Sequence, residues 1–262
     1  MLMENLFDFI NDLPFLMLVF FRVGGILLFA PVFSNTHIPM LLRIAIALIL
    51  AFILYPNLDK NLHELPSELI PFGLIVVKEI AIGAIVGFAA SILFAAFSMA
   101  GYLLSNQMGL DMAVIADPSS LSGDEEPTVS VFYNLIAILL LLAIDGHHYF
   151  INAIAQSFHA VPIGSFDYTT AILTKILSLF RTLFVIGIKI SIPAFVVLML
   201  SVVAMALMAK VAKEINIFVI AYPIKIIIGF IVVFVSFPLM IGAMRMYIFG
   251  FEKGLMSLLS AM

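Results

Sequence analysis

Residues 69–104 read LIPFGLIVVKEIAIGAIVGFAASILFAAFSMAGYLL, with Lys78 and Glu79 as the charged residues of the whole run. A helix crossing the hydrocarbon core of a bilayer needs about 20 apolar residues, so this run exceeds a single ordinary crossing. It also lacks the continuous polar face that a helix on a water-soluble globule would carry. Working outward, further apolar runs occupy 38–56 and 13–31 on one side and 129–145, 171–208 and 217–248 on the other, with a shorter amphipathic piece at 148–161. All are helical candidates. The expected fold is all-α and polytopic, membrane-associated, built from long helical hairpins with broken helices. Two of the runs are long enough for such a hairpin or break, and Pro193 and Pro223 are the expected break points.

Composition supports the same class. The 262-residue chain is 64% hydrophobic and 11% charged, with 25 Phe and 15 Met, too little polar surface to cover a globule in water. A formal net charge of −4 offers no basic face, which argues against a nucleic-acid partner. The absence of cysteine excludes disulfides, thiolate metal sites and thiol catalysis. The N-terminus, MLMENLFDFINDLP, places Glu4, Asp8 and Asp12 where a signal peptide would carry cations, so no cleaved signal is expected. Lys/Arg bias orients the chain poorly, because Arg22, Lys78, Arg181, Lys189 and Lys225 all fall inside apolar runs. The clearest asymmetry is 105–130, with five carboxylates and no Lys or Arg, which favours the non-cytoplasmic side.

The polar and small residues inside the runs carry the more specific information. Glu79, Gly83, Gly87, Ser91 and Ala95 recur at a spacing of four, giving one small-sided helix face that begins with a carboxylate, and GAIVG at 83–87 is a close-packing pattern. Packing within this chain and packing on another subunit both satisfy that pattern. Thr170, Thr174, Ser178, Arg181, Thr182 and Lys189 form a polar, cationic stripe on an otherwise apolar helix. Cations held in hydrocarbon cost several kcal/mol by most estimates, so a pore or a protein partner explains the stripe better than lipid does.

The histidines of AIDGHHYF (143–150), near Asp145, and His159 invite an enzymatic reading that the sequence does not sustain. A metal site needs three or four converging ligands, and no HExxH, G-x-S-x-G or phosphate-cradling glycine loop occurs. Asp-Gly-His-His reads more simply as a turn in which Gly146 ends one helix. No catalytic residue, metal or cofactor is assigned.

Between two apolar runs the chain reads NQMGLDMAVIADPSSLSGDEEPT (106–128), whose first half is nearly as apolar as its flanks. The order of blocks around it is specific: LxxxFFRVGGILLFAPVFS (16–34), HIPMLLRIAIALILAFILYP (37–56), IGAIVGF (82–88), AAFSMAGYLLSNQMGLDMAVIADP (95–118), DGHHYFINAIAQSFHAVPIG (145–164) and INIFVIAYPIKI (215–226). In this order the chain resembles, over nearly its whole length, the FliR family of flagellar export-gate proteins, whose injectisome counterpart is SctT. One departure lies at AKVAKEINIF (209–218), where the family carries Arg-x-x-Pro-Gln. Here Lys210, Lys213 and Glu214 stand for the arginine, proline and glutamine, followed by Asn216 and Phe218, in a turn expected to face a partner.

The resemblance implies a single-copy, non-enzymatic subunit of the bacterial inner membrane, within the flagellar basal body. It closes a ring of P-type and Q-type subunits, alongside the B-type switch subunit and the A-type export subunit, for unfolded proteins in transit. It further implies a P-subunit-like half (1–165) and a Q-subunit-like half (166–262). It places Gln107, Met108, Gly109, Leu110, Asp111, Met112, Val114, Ile115, Asp117 and Pro118 in a loop that helps plug the pore. The residues suit that role: methionine adapts to irregular gaps, and an apolar constriction closes by excluding water. A secondary transporter is the competing class, but the matched pair of interrupted segments it predicts is not seen. An intramembrane enzyme centred on Asp145, His147 and His148 is the other.

Overall fold

The computed structural model describes residues 2–31, 33, 38–58, 66, 68–110, 127–166, 170–211 and 217–259, and among these every regular element is helical. In chain order the helices are α1 (Leu2–Phe29), α2 (Met40–Leu54), α3 (Leu69–Met108), α4 (Thr128–Ala143), α5 (Gly146–Ala160), α6 (Thr170–Val211) and α7 (Ile217–Leu259), with a 3-10 turn at Tyr55–Asn57. Five of them are long and apolar enough to cross a membrane, in keeping with the all-α, polytopic expectation.

The expected proline breaks do not occur. Pro193 lies inside α6, and α7 runs through both Pro223 and Pro238. Proline removes one N–H and crowds the carbonyl four residues earlier, yet in apolar surroundings there is no water to receive the groups a full break would free, so the helix continues. The chain instead breaks at Ile144–Asp145, where Asp145 takes φ 56. Asp is one of the few residues other than glycine that visits this region readily. The N–H groups of Ile144 and Asp145 bond back to the carbonyls of Leu140 and Leu142, both at 3.1 Å. Gly146 therefore opens α5 rather than closing α4, contrary to the sequence expectation.

Packing divides the chain into two compact units, Met1–Ile92 with Gly146–Leu179 and Gly250–Met262, and Leu93–Asp145 with Phe180–Phe249. Neither follows a cut at 165/166, because α3, α6 and α7 each contribute to both. In the first unit the core gathers Phe15, Val19, Val23 and Ile26 of α1, Ala47 and Ala51 of α2, Ile82 and Val86 of α3, and Ala153, Ile154 and Phe158 of α5. The Tyr55 hydroxyl donates to the Asp12 carboxylate, and the Tyr55 ring lies 5.8 Å from that of Phe15, tying the end of α2 to α1. In the second unit Phe97, Ala100 and Leu104 of α3, Tyr133 and Ala137 of α4, and Leu198 of α6 are essentially inaccessible.

Candidate functional site

Two constructions stand out, one in each unit. The first begins with Arg22 and Glu79, both fully buried in the middle of apolar helices. A lone buried charge would cost several kcal/mol, and the fold gives each a partner: Arg22 Nε donates to Glu79 Oε2 at 2.5 Å. Further valences reach a third element, while Arg22 Nη2 is buried without a hydrogen-bond partner among the described residues. Arg22 Nη1 donates to the carbonyls of Ser157 (3.0 Å) and Val161 (2.7 Å), and the Gly164 N–H donates to Glu79 Oε1 at 2.9 Å. The guanidinium carbon lies 4.5 Å from the Phe158 ring centre, within cation–π range. Carbonyls at the end of a helix carry partial negative charge, and the Ser157 carbonyl also accepts the Val161 N–H at 3.1 Å. Arg22 thus caps α5 while Glu79 fixes the turn that follows it, and one ion pair joins α1, α3 and the end of α5.

Close approach of α1 and α3 is what makes that pair reachable. A Cβ on Gly83 would sit 2.3 Å from the Arg22 carbonyl oxygen and 3.0 Å from Gly25 Cα; on Gly87 it would sit 2.4 Å from the Ile26 carbonyl oxygen; on Gly25, 2.9 Å from the Ile80 carbonyl oxygen. All four of these atoms are backbone. The small face beginning at Glu79 therefore packs on α1 of the same chain through Gly83 and Gly87. Ser91 is half-buried and donates to the Phe88 carbonyl of its own helix (2.8 Å), and Ala95 is exposed. The face ends there for a geometric reason. Four residues advance a helix by about 400°, so each step slips about 40° and the line walks off the interface.

The second construction ends α3. Gly109 has φ +78, its N–H bonds the Asn106 carbonyl at 3.1 Å, and the Leu110 N–H bonds the Ser105 carbonyl at 3.3 Å. This is the Schellman arrangement, which needs a residue free of Cβ strain at the left-handed position. The Tyr222 ring closes over the same glycine, where a Cβ would meet it at 3.0 Å. One residue earlier, Met108 is fully buried and lies so close to Gly229 of α7 that a Cβ there would approach its side chain to 2.5 Å. The sequence reading placed Met108 in the plug; in the structure it anchors the helix before it, because its side chain points onto a glycine of the neighbouring helix. Gln107 also belongs to α3, and its Nε2 lies 2.8 Å from Met199 Sδ. Leu110 is half-buried in the turn. Asp111, Met112, Val114, Ile115, Asp117 and Pro118 lie outside the described residues.

Thr174, Ser178, Arg181 and Lys189 are all exposed on α6, with Thr174 Oγ1 donating to the Thr170 carbonyl (3.0 Å) and Ser178 Oγ to the Lys175 carbonyl (2.6 Å). Lys210 is exposed in the last turn of α6. Lys213, Glu214 and Asn216 lie outside the described residues, and Phe218 falls in the first turn of α7. The sequence reading missed three close approaches in the second unit. A Cβ on Gly101 would meet Ser130 Cα at 2.6 Å, one on Gly187 the Ala96 carbonyl oxygen at 3.0 Å, and Gly229 receives Met108. Gly101 had a visible signal, since Ser98, Gly101 and Ser105 fall three and four apart on one helix face, and Ser130 Oγ bonds the Ser98 carbonyl there at 3.0 Å.

Long apolar helices, glycine-mediated contacts and an internal charge pair define a polytopic helical membrane protein. Residues 13–250 match the family described as bacterial export proteins, family 1, and the chain belongs to that family. It is similar to the flagellar biosynthetic protein FliR of Pectobacterium carotovorum, with 28% identity over 91% of this chain and 90% of that protein. The FliR of Bacillus subtilis is 28% identical over 90% and 91% of the two chains, and that of Caulobacter vibrioides 29% over 81% and 84%. The resemblance first drawn from motif order is thus met across nearly the full length.

Proposed function

We propose that this chain is a structural, non-enzymatic subunit of the flagellar protein export gate in the bacterial inner membrane. In this reading one copy closes a ring with P-type and Q-type subunits, the stretch from Leu110 to Pro118 helps seal the pore, and unfolded flagellar proteins pass through the opened gate. The B-type and A-type subunits of the apparatus are its further neighbours. Flagellar rather than injectisome membership is supported by the curated relatives, which carry flagellar names.

One observation carries the claim that protein, not lipid, covers much of this chain. Along α6 the exposed residues Leu173, Leu177, Phe180, Phe184, Ile188, Ile192, Val196, Met199, Val203, Leu207 and Val211 recur every three or four positions. From Phe180 to Val211, within the second unit, they extend about 46 Å at 1.5 Å per residue, against a hydrocarbon core of about 30 Å. Fitting that stripe into the core would need a tilt near 50°, beyond the usual range of about 0–40°. The excess apolar length needs a protein neighbour, and Arg181 and Lys189 beside it gain one as well.

The test is co-purification. Expressed with P-type and Q-type subunits, the tagged chain should recover both in excess over itself; expressed alone, it should be polydisperse in detergent. A stable, monodisperse monomer that captures neither subunit sinks the proposal.

A further inference from the structure

Between the C-terminal end of α6 and the start of α7 lies a groove of about 360 Å³, lined by Val202, Met205, Ala206 and Ala209 from one helix and Tyr222 and Lys225 from the other. Its floor is apolar, and the alanines leave a narrow slot. Among the described residues its polar side chains are Lys225 and Tyr222. We propose that this groove binds one anionic phospholipid, with Lys225 on the headgroup phosphate and the alanine-floored slot holding an acyl chain.

Position supports this occupant first. α6 ends at Val211 and α7 begins at Ile217, so Lys225 stands about two turns into α7, where a long, flexible side chain can extend toward the helix end. Tyrosine favours a membrane boundary. The local charge has the right sign: from 205 to 225 the sequence holds Lys210, Lys213 and Lys225 against Glu214 alone, and Lys210 is exposed on the last turn of α6. Basic pockets between membrane helices recognise anionic headgroups by this chemistry.

Size and polarity argue against a protein segment in the slot. Taking a methylene as roughly the size of a water at about 30 Å³, the groove takes on the order of a dozen methylenes, the scale of an acyl chain. A peptide supplying a carboxylate would bring backbone N–H and C=O groups against a lining that, among the described residues, offers them only Tyr222 and Lys225. The inference requires only that the chain lie in a membrane, and stands apart from the ring and plug.

The experiment uses the full chain, purified with its partner subunits and placed in phosphatidylcholine bilayers containing a photoactivatable phosphatidylglycerol or, in parallel, a photoactivatable phosphatidylcholine. Labelling of the 202–225 segment is read by peptide mass spectrometry. The anionic probe should label it about fivefold more than the zwitterionic one, the increment of one lysine near anionic lipid. Lys225→Gln should abolish that preference, Lys225→Arg should keep it, and Ala206→Phe, which fills the slot, should lower labelling by both probes. Equal labelling of the wild type by the two probes overturns the proposal, as does a preference that survives Lys225→Gln. Cross-links from this segment to an acidic peptide of a partner subunit, in place of lipid, overturn it in favour of a protein occupant.

Discussion

Gly83→Ala and Gly24→Ala are the same chemical change, each in a helix that packs in the first unit, and the structure assigns them opposite signs. Around Gly24 no atom lies within 4 Å of an added Cβ. Replacing it removes glycine's backbone-entropy disadvantage in a helix, a gain of about 0.5–1 kcal/mol. At Gly83 the same methyl would stand 2.3 Å from the Arg22 carbonyl oxygen, 3.0 Å from Gly25 Cα and 3.0 Å from the Ile26 nitrogen. None of these is the end of a side chain that can swing away. Restoring ordinary contact requires α1 and α3 to part by roughly 1 Å, an overpacking penalty of about 1–3 kcal/mol, at its upper end because only backbone can move. After the propensity gain, a net loss of about 2 kcal/mol remains. Separation also pulls Arg22 from Glu79 and from the end of α5. The assay is the fraction of detergent-solubilised chain, with its partners, that stays monodisperse through a temperature series. Gly24→Ala should match or exceed wild type, and Gly83→Ala should fall clearly below it. Equal stability of the two variants would refute the claimed contact between α1 and α3.

The Arg22–Glu79 pair predicts strong coupling: Arg22→Met and Glu79→Gln should each cost about 3–5 kcal/mol by leaving one buried charge unmatched, while the double variant should recover much of that loss. An additive double mutant in the same thermal assay contradicts the pairing. Gly109→Ala should destabilise the end of α3 by about 1–2 kcal/mol, because alanine resists positive φ and its methyl meets the Tyr222 ring; faster hydrogen exchange at the amides of Gly109 and Leu110 is the readout, and unchanged exchange contradicts the capped geometry. For the proposed seal, deleting 110–116 should leave the gate assembled yet raise ion permeability of vesicles, with Met112→Asp and Ile115→Asp acting more weakly in the same direction. An assembled deletion variant as tight as wild type removes this stretch from the seal.

The helices were legible because apolar run length follows directly from what a membrane demands: the runs at 38–56, 69–104, 129–145, 171–208 and 217–248 each correspond to one helix of the structure. Their continuity was not legible. Proline is read as a break on the assumption that water waits to solvate the freed carbonyl, and that assumption fails in apolar surroundings. The glycine pattern at 83–87 marked a close contact but could not name its partner, since Gly25 and Ile26 lie more than 50 residues away in sequence. The same distance hid the Arg22–Glu79 pair, although an arginine and a glutamate in separate apolar runs were a standing invitation to look for one. Gly229 gave no sequence signal, because its importance comes wholly from Met108 packing onto it from another helix.

The end of α3 shows how rigidity and apolar character are divided along one stretch of chain. Up to Met108 the helix is fixed by a buried side chain on Gly229, and at Gly109 the backbone turns with the Ser105 and Asn106 carbonyls bonded and a tyrosine ring over it. A Schellman cap ends a helix sharply by giving donors to two of its terminal carbonyls. A seal that yields to a passing polypeptide and then recloses needs a base that does not move, since a soft segment on a soft support would lose its register in the pore. Met108, Gly109, Tyr222 and Gly229 supply such a base immediately before the stretch that the proposal gives to the seal. A lysine or glutamate at 229 would therefore damage the gate differently from one at 112. The first should disturb the packing of α3 on α7 and lower assembly, and the second, under the proposed seal, should raise permeability in a gate that still assembles.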